Sequence, residues 1–171
     1  NRVHFRAGQM NIEMFFVRGD SARVVEVVRK RLRGDFESDL ESSPLPSSYE
    51  TLLRNQPKRK IAVSAFRDGW TSVVESKEVV DLRLAEQISN DLRTRVVVVQ
   101  VADTVGARGI AIFEGGAVVS ADYSEDDDDP DGTIRTVLES NGISHPIVQF
   151  REAVSASFAG WQILSKPQSG T

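Results

Sequence analysis

The sequence predicts an α+β domain built on a mostly antiparallel sheet of about six strands, with helices packed against the sheet. Three observations carry this prediction. The stretch from Arg95 to Ala102 is apolar almost without interruption, which is typical of a strand buried on both faces. Asp68-Gly69 and Gly115-Gly116 each separate two strand-like segments and indicate tight hairpins. Other segments place apolar residues at steps of three and four, as amphipathic helices do.

The first strand and the first helix are predicted from apolar residues that recur at two different spacings. Residues 12–17 alternate in the manner of a strand that is covered on both faces for part of its length. Val24, Val28 and Leu32 then recur every four residues, which predicts a helix, and Gly34 is a natural stop. The hairpin around Asp68-Gly69 comes next.

A second helix, opened by Asp81, is predicted to run to about Leu92. Strands over 95–102, 110–113 and 118–123 follow, so three consecutive antiparallel strands are expected. The element order is therefore β-α-ββ-α-βββ, and two helices follow it. The last two helices are predicted over 132–139 and from Pro146 to about Ala159; the second would bury Ile147, Phe150, Val154, Phe158 and Trp161.

The domain organisation is predicted to be simple. Residues 10–171 are expected to form a single α+β domain, and 1–9 a leader or disordered arm. Residues 35–57 are polar and rich in Ser and Pro, which predicts a flexible loop with one turn of helix near Tyr49 to Leu53.

Composition excludes several classes of chemistry. The chain has no cysteine, so disulfides, thiolate metal ligands and a cysteine nucleophile are absent, which fits a cytoplasmic protein. No apolar run approaches the roughly 18 to 20 residues of a membrane helix, so no membrane association is expected. We predict no cofactor.

One part of the chain resembles a loosely defined group of uncharacterised bacterial proteins. The resemblance spans about 60–125 and consists of a tryptophan strand, an amphipathic helix, a valine-rich strand and a glycine hairpin. The residues that carry it are Asp68 to Val74, Leu84 to Ser89 with Leu92, Val97 to Val101 with Asp103, and Phe113 to Gly116. The resemblance implies no activity, substrate or catalytic residue.

An acidic loop over 125–132 is the candidate metal site. Asp127, Asp129 and Asp131 occupy the first, third and fifth positions of a loop that resembles a calcium-binding EF-hand loop, with Gly132 at the sixth position. The closing glutamate is missing, because the twelfth position is Leu138. Two hypotheses stay open: weak calcium binding by the three aspartates, and a solvated loop that caps the next helix.

Other candidate sites have ordinary structural explanations. The basic clusters Arg29 to Arg33 and Lys58 to Lys60 could bind phosphate, but no aromatic platform accompanies them, so a nucleic acid partner is disfavoured. His145 precedes Pro146 and is interpreted as a capping or surface residue. Trp70 and Trp161 are interpreted as core residues rather than anchors for a partner.

No nucleophile elbow, phosphate loop or zinc-protease motif occurs in the sequence. The leading hypothesis is therefore a noncatalytic cytoplasmic domain that acts through protein contacts, as an interaction, regulatory or immunity-type partner or as a homodimer. The first alternative is a small-molecule-binding or enzymatic domain with a pocket between sheet and helices. The second alternative is weak calcium binding by the acidic loop.

Overall fold

A computed structural model describes residues 11–33, 41–44, 59–76, 81–102, 105–155 and 160–165. The strands are β1 (Asn11–Val17), β2 (Glu41–Pro44), β3 (Lys60–Val63), β4 (Thr71–Glu75), β5 (Arg95–Ala102), β6 (Ala107–Glu114), β7 (Ala117–Ser124) and β8 (Gln162–Ser165). The helices are α1 (Ser21–Arg33), α2 (Leu82–Leu92), α3 (Pro130–Ser140) and α4 (Phe150–Ser155).

All the described strands belong to one sheet, in the order β2-β8-β3-β4-β1-β5-β6-β7. Every pairing is antiparallel. The predicted α+β class is therefore confirmed. The predicted apolar strand is confirmed as β5, which lies between β1 and β6; it pairs with β6 along its whole length and with β1 from Val96 to Ala102. The meander β5-β6-β7 is the predicted run of three antiparallel strands.

Helices cover both faces of the sheet. Successive side chains of a strand point to opposite faces. On β1, Phe15 and Val17 pack in one core cluster with side chains of α1 and α2. Met14 and Phe16 pack in a second cluster with side chains of α3 and α4. The sheet is thus the middle layer of three.

Both predicted hairpins are present. Asp68 and Gly69 adopt positive φ values of 50° and 91° between β3 and β4. Gly115 and Gly116, at 57° and 89°, join β6 to β7. A Cβ on Gly116 would also lie 2.8 Å from the Cβ of Asn90. Both the positive φ and the lack of space therefore require glycine at this position.

The predicted start of the second helix at Asp81 is confirmed. The Asp81 carboxylate accepts a hydrogen bond from the Leu84 N–H at 2.9 Å and caps α2. Helix α1 is described from Ser21 to Arg33, and the predicted stop at Gly34 lies outside the described residues. Helix α3 begins at Pro130, two residues before the predicted start, because the Asp129 side chain caps it and accepts from the Gly132 N–H.

The predicted strand count is too low. The described residues contain eight strands, and one of the additional two, β2, lies inside the segment 35–57 that was predicted to be a loop. Its sequence, Glu-Ser-Ser-Pro, carries no apolar alternation because it pairs at the edge of the sheet through its backbone with β8. The arm over 1–9 and the helical turn at Tyr49 to Leu53 lie outside the described residues.

The predicted C-terminal helix is also wrong in part. The helix starts at Phe150 rather than at Pro146, and the chain returns to the sheet as β8 after Gly160, whose φ is 87°. Residues 143–149 do not form a helix and contact the sheet instead. For example, the Val148 N–H is directed at the Met14 sulfur at 3.4 Å. Of the residues predicted to be buried by this helix, Ile147 lies in the irregular segment, Phe150 and Val154 lie in α4, and Trp161 directly precedes β8. Phe158 lies outside the described residues.

Candidate functional site

Strand β7 forms one open edge of the sheet. It is last in the strand order and, among the described residues, pairs only with β6. All its residues from Ala117 to Tyr123 are exposed, and Ser124 is partly covered. An edge strand directs the N–H and C=O groups of alternate residues away from the sheet. The outer side of β7 therefore presents backbone hydrogen-bonding groups that no other described strand pairs with.

The opposite edge is built differently. Strand β2 is only four residues long and ends in Pro44. Short strands and prolines are common means of preventing further pairing at a sheet edge. Strand β7 has eight residues and no proline, and although a bulge lies opposite Ile112 and Phe113, its register is regular from Ser120 to Ser124. Of the two edges, β7 is the one suited to accept another strand.

Large apolar side chains are exposed along this edge. Val118, Val119 and Tyr123 are 59%, 54% and 59% exposed. Beside Tyr123 lies a groove of about 550 Å³ on the face that carries α2. Its lining includes the small residues Gly109, Ala111 and Ala121, with Leu82. Glu13, Gln100 and Asp122 also line the groove, and of the three exposed apolar residues only Tyr123 borders it. Exposed apolar side chains grouped along a strand commonly mark sites of protein contact.

Specific bonds hold the β6–β7 ribbon in place. The Gly116 N–H donates to the Ser89 Oγ at 3.0 Å, which ties the hairpin to α2. Arg108 on β6 donates to Asp122 on β7 and to Asp127 in the following loop, both at 2.6 Å. These two carboxylates raise the pKa of Arg108, Asp122 first, so the guanidinium stays charged. The edge is therefore a defined surface.

The three aspartates of the predicted calcium site have other partners. Asp127 accepts from the Asp129 N–H, the Thr133 hydroxyl and Arg108, and these bonds, in that order, lower its pKa. Asp129 caps α3, and Asp131 forms an ion pair with Arg135 at 3.0 Å. Within the described ranges no group of three or more His, Cys, Asp or Glu side chains is arranged to hold a metal. Calcium binding stays a prediction.

The other carboxylates of the acidic loop lie at the end of β7. The Tyr123 hydroxyl donates to Glu125 Oε1 at 3.1 Å, and this bond raises the pKa of Tyr123. The Ser124 hydroxyl donates to Asp126 at 2.9 Å. Asp128 is exposed as well. Among the residues that the structure describes, none of these three acids forms an ion pair.

His145 is buried under the sheet rather than placed on the surface. Its Nε2 lies 2.9 Å from the Trp70 carbonyl oxygen and 3.2 Å from that of Arg67. Both oxygens are acceptors, so Nε2 carries the proton and Nδ1 accepts from the Ser72 hydroxyl at 2.7 Å. The prediction of a capping or surface histidine is wrong, because this imidazole joins the segment before α4 to the β3–β4 hairpin.

A cleft of about 860 Å³ lies beside His145. Its polar lining consists of Asp131, Arg135, Glu139, Ser144, His145 and Glu152. The first two neutralise each other, and the Ser144 hydroxyl donates to Asp68 at 2.6 Å. Both nitrogens of His145 are used, and its partner Ser72 is fully buried. The Ser72–His145 pair is therefore structural, since a substrate in the cleft could not reach the serine.

We expect His145 to make the stability of the protein depend on pH. Burial lowers its pKa below the ordinary 6.5, against the opposing effect of the two carbonyl bonds. As the pH falls below 6.5, the unfolded chain takes up a proton while the folded chain stays neutral, so the free energy of unfolding should decrease. Urea unfolding between pH 7.5 and 5.5 should show this decrease in the wild type and a flatter dependence in His145→Gln. Equal slopes would contradict it.

Two arginines of the basic clusters are paired with acids. Arg31 forms an ion pair with Asp91, and Arg59 bonds to Glu75 and to Asp81. Lys60 is buried in β3, and Lys58 lies outside the described residues. These pairs reduce the positive charge offered to a phosphate backbone, and a nucleic acid partner stays a disfavoured prediction.

The two tryptophans are 3% and 5% exposed, so their predicted place in the core is confirmed.

Comparison with known proteins gives no match to a family model, to a curated protein or to a solved structure. The resemblance over 60–125 to uncharacterised bacterial proteins stays a prediction. Among the described residues, no helix has the length and apolar character needed to cross a membrane.

The sequence predicted β7 as a strand but not as an open edge. The position of a strand in a sheet depends on pairing between distant segments, which one sequence does not display. One signal was available: after Ser124 the chain enters an acidic loop and then α3, so no following strand continues the meander beyond β7.

Proposed function

We propose that the chain is a noncatalytic protein-interaction domain that binds an extended segment of a partner protein along the open edge of β7. The observation that carries this proposal is the exposure of Ala117 to Tyr123 on an eight-residue edge strand. In strand addition, backbone hydrogen bonds supply affinity and side chains on alternate positions supply specificity. A cytoplasmic location and a bacterial origin stay predictions.

The apolar side chains of the edge favour protein over solvent as the neighbour of β7. A partner strand would cover Val118, Val119 and Tyr123, which together expose more apolar area than isolated surface residues do. Covering the groove beside Tyr123 would extend the same contact toward α2. The enzymatic alternative has less support, because the imidazole beside the cleft is committed to structural hydrogen bonds.

A random peptide library displayed on phage tests this function. Peptides selected on the wild type should slow hydrogen exchange of the β7 amides, and Val118→Lys/Tyr123→Lys should weaken their binding by about tenfold or more. The matched control is Phe66→Lys, which changes a residue that is 53% exposed in the β3–β4 hairpin, away from β7. The control should bind as the wild type does. Selected peptides that leave β7 unprotected would contradict the proposal.

A further inference from the structure

The two ends of the open edge differ in charge. At the end where β7 leaves the sheet, Glu125, Asp126 and Asp128 are exposed and form no ion pair with a described residue. At the hairpin end, Glu114 is paired with Arg95 at 2.8 Å. Uncompensated negative charge is therefore concentrated beyond Ser124.

Local hydrogen bonds keep two of these acids beside the strand. Glu125 accepts from the Tyr123 hydroxyl and Asp126 from the Ser124 hydroxyl, so both carboxylates stay next to the last residues of β7. Arg135 neutralises the neighbouring Asp131, whereas Arg108 bonds to both Asp122 and Asp127, so its single charge offsets only one of these two carboxylates. A strand that pairs with β7 would end beside these carboxylates.

We propose that the partner of β7 is an extended strand that pairs antiparallel to it and carries basic residues at its amino-terminal end. This proposal rests on the function proposed above. Every pairing in the sheet is antiparallel, and antiparallel pairing is slightly more stable per residue than parallel pairing. An antiparallel partner places its amino-terminal end beside the carboxyl end of β7, where the acids lie.

A second copy of the chain satisfies this surface less well. Antiparallel pairing of two β7 strands would place the acidic end of each beside the hairpin end of the other. That end offers Ala117, Val118 and Val119, which are uncharged, and an Arg95 already paired with Glu114. The acids would gain no cationic partner, so a basic segment of another protein is the better complement.

Three synthetic peptides with the same alternating Thr-Val core test the proposal. One carries Lys-Lys before the core, one carries Lys-Lys after it, and one carries Glu-Glu before it. At low salt the first should bind about fivefold more tightly than the second, because each exposed ion pair adds little. The advantage should shrink at high salt, where exposed charges are screened. Equal affinities for the two lysine peptides, or preference for the second, would overturn the proposed polarity.

Substitution of the exposed acids tests whether the preference for the first peptide arises at the acidic end of β7. Glu125→Gln/Asp126→Asn/Asp128→Asn should abolish the advantage of the first peptide and leave its core binding unchanged. Glu26→Gln/Glu86→Gln, which removes exposed acids of α1 and α2, should keep the advantage. A polarity effect that survives the triple variant would assign it elsewhere and overturn the proposal.

The outcomes separate this proposal from the function on which it rests. If all three peptides protect the β7 amides with equal affinity, strand addition holds and the charge preference fails. If peptides bind without protecting β7, or if none binds, the proposed function fails for these probes and the polarity fails with it. A wild-type chain that forms a dimer dissociated by Val118→Lys/Tyr123→Lys would favour the second copy instead.

Discussion

Replacing Phe16 with alanine is expected to lower the free energy of unfolding by about 4 kcal/mol. Phe16 is fully buried on β1, which lies between β4 and β5 in the interior of the sheet. Its ring meets that of His145 edge to face, with centroids 6.4 Å apart. Alanine would leave a cavity under the segment before α4, and the neighbouring strands could close it only in part. Urea denaturation measures the loss.

Phe66 provides the matched control for this substitution. Its side chain is 53% exposed, so Phe66→Ala should change the free energy of unfolding by about 0.5 kcal/mol or less. Similar losses in the two variants would show that the packing around Phe16 is not what stabilises the sheet.

Replacing Arg59 with methionine is expected to cost about 3 kcal/mol. Arg59 donates to Glu75 at 2.5 Å and to Asp81 at 2.7 Å, and the Glu75 side chain is only 6% exposed. Removing the guanidinium leaves the Glu75 carboxylate without this cation in a poorly solvated site. Methionine keeps most of the apolar volume of the arginine side chain, so the loss of stability measures the effect of removing the positive charge. Urea denaturation at neutral pH measures it.

Two further variants make this prediction specific. Arg95→Met breaks an exposed pair with Glu114 and a hydrogen bond to the Asn141 side chain, and it should cost about 1 kcal/mol, less than Arg59→Met. Adding Glu75→Gln to Arg59→Met should recover part of the stability, because it removes the buried carboxylate that has lost the Arg59 guanidinium. A double variant that is less stable than the single one would indicate that Glu75 is stabilised by its other neighbours.

Asp81 adds a pH dependence to the same network. Burial opposes its charge, but the Leu84 N–H and Arg59 outweigh that opposition and lower its pKa below the ordinary 3.8. A lowered folded-state pKa contributes stability that is present above 3.8 and is lost as the pH falls through the folded value. This loss occurs at lower pH than the one expected from His145, so the two contributions can be measured separately.

Much of the sheet could be predicted because its signals are local. The apolar run of β5, the glycines of both hairpins and the aspartate that caps α2 each act within a few residues. Strand β2 could not be predicted, because its pairing with β8 uses backbone groups and leaves no apolar pattern in its four residues. Edge strands need less side-chain burial than central ones do.

The candidate site was less accessible to sequence reasoning than the fold. His145 was placed on the surface because a lone histidine before a proline carries no sign of burial, whereas its partners Ser72 and Trp70 lie more than seventy positions earlier. The acidic loop was recognised from the sequence, but the ion pair of Asp127 was not. Its partner, Arg108, lies on β6, outside the loop. Charges that cancel across strands become visible only when the strands are paired.

The unequal edges of the sheet also limit self-association. Strand addition between copies needs two free edges on each molecule to continue indefinitely, as it does in fibrils. Here β7 is long and exposed, whereas β2 is four residues long and ends in Pro44. Among the described strands, two molecules that met through β7 would leave their β2 strands outermost, and the shortness of β2 and its Pro44 disfavour further strand addition there, so a closed pair is favoured over a filament.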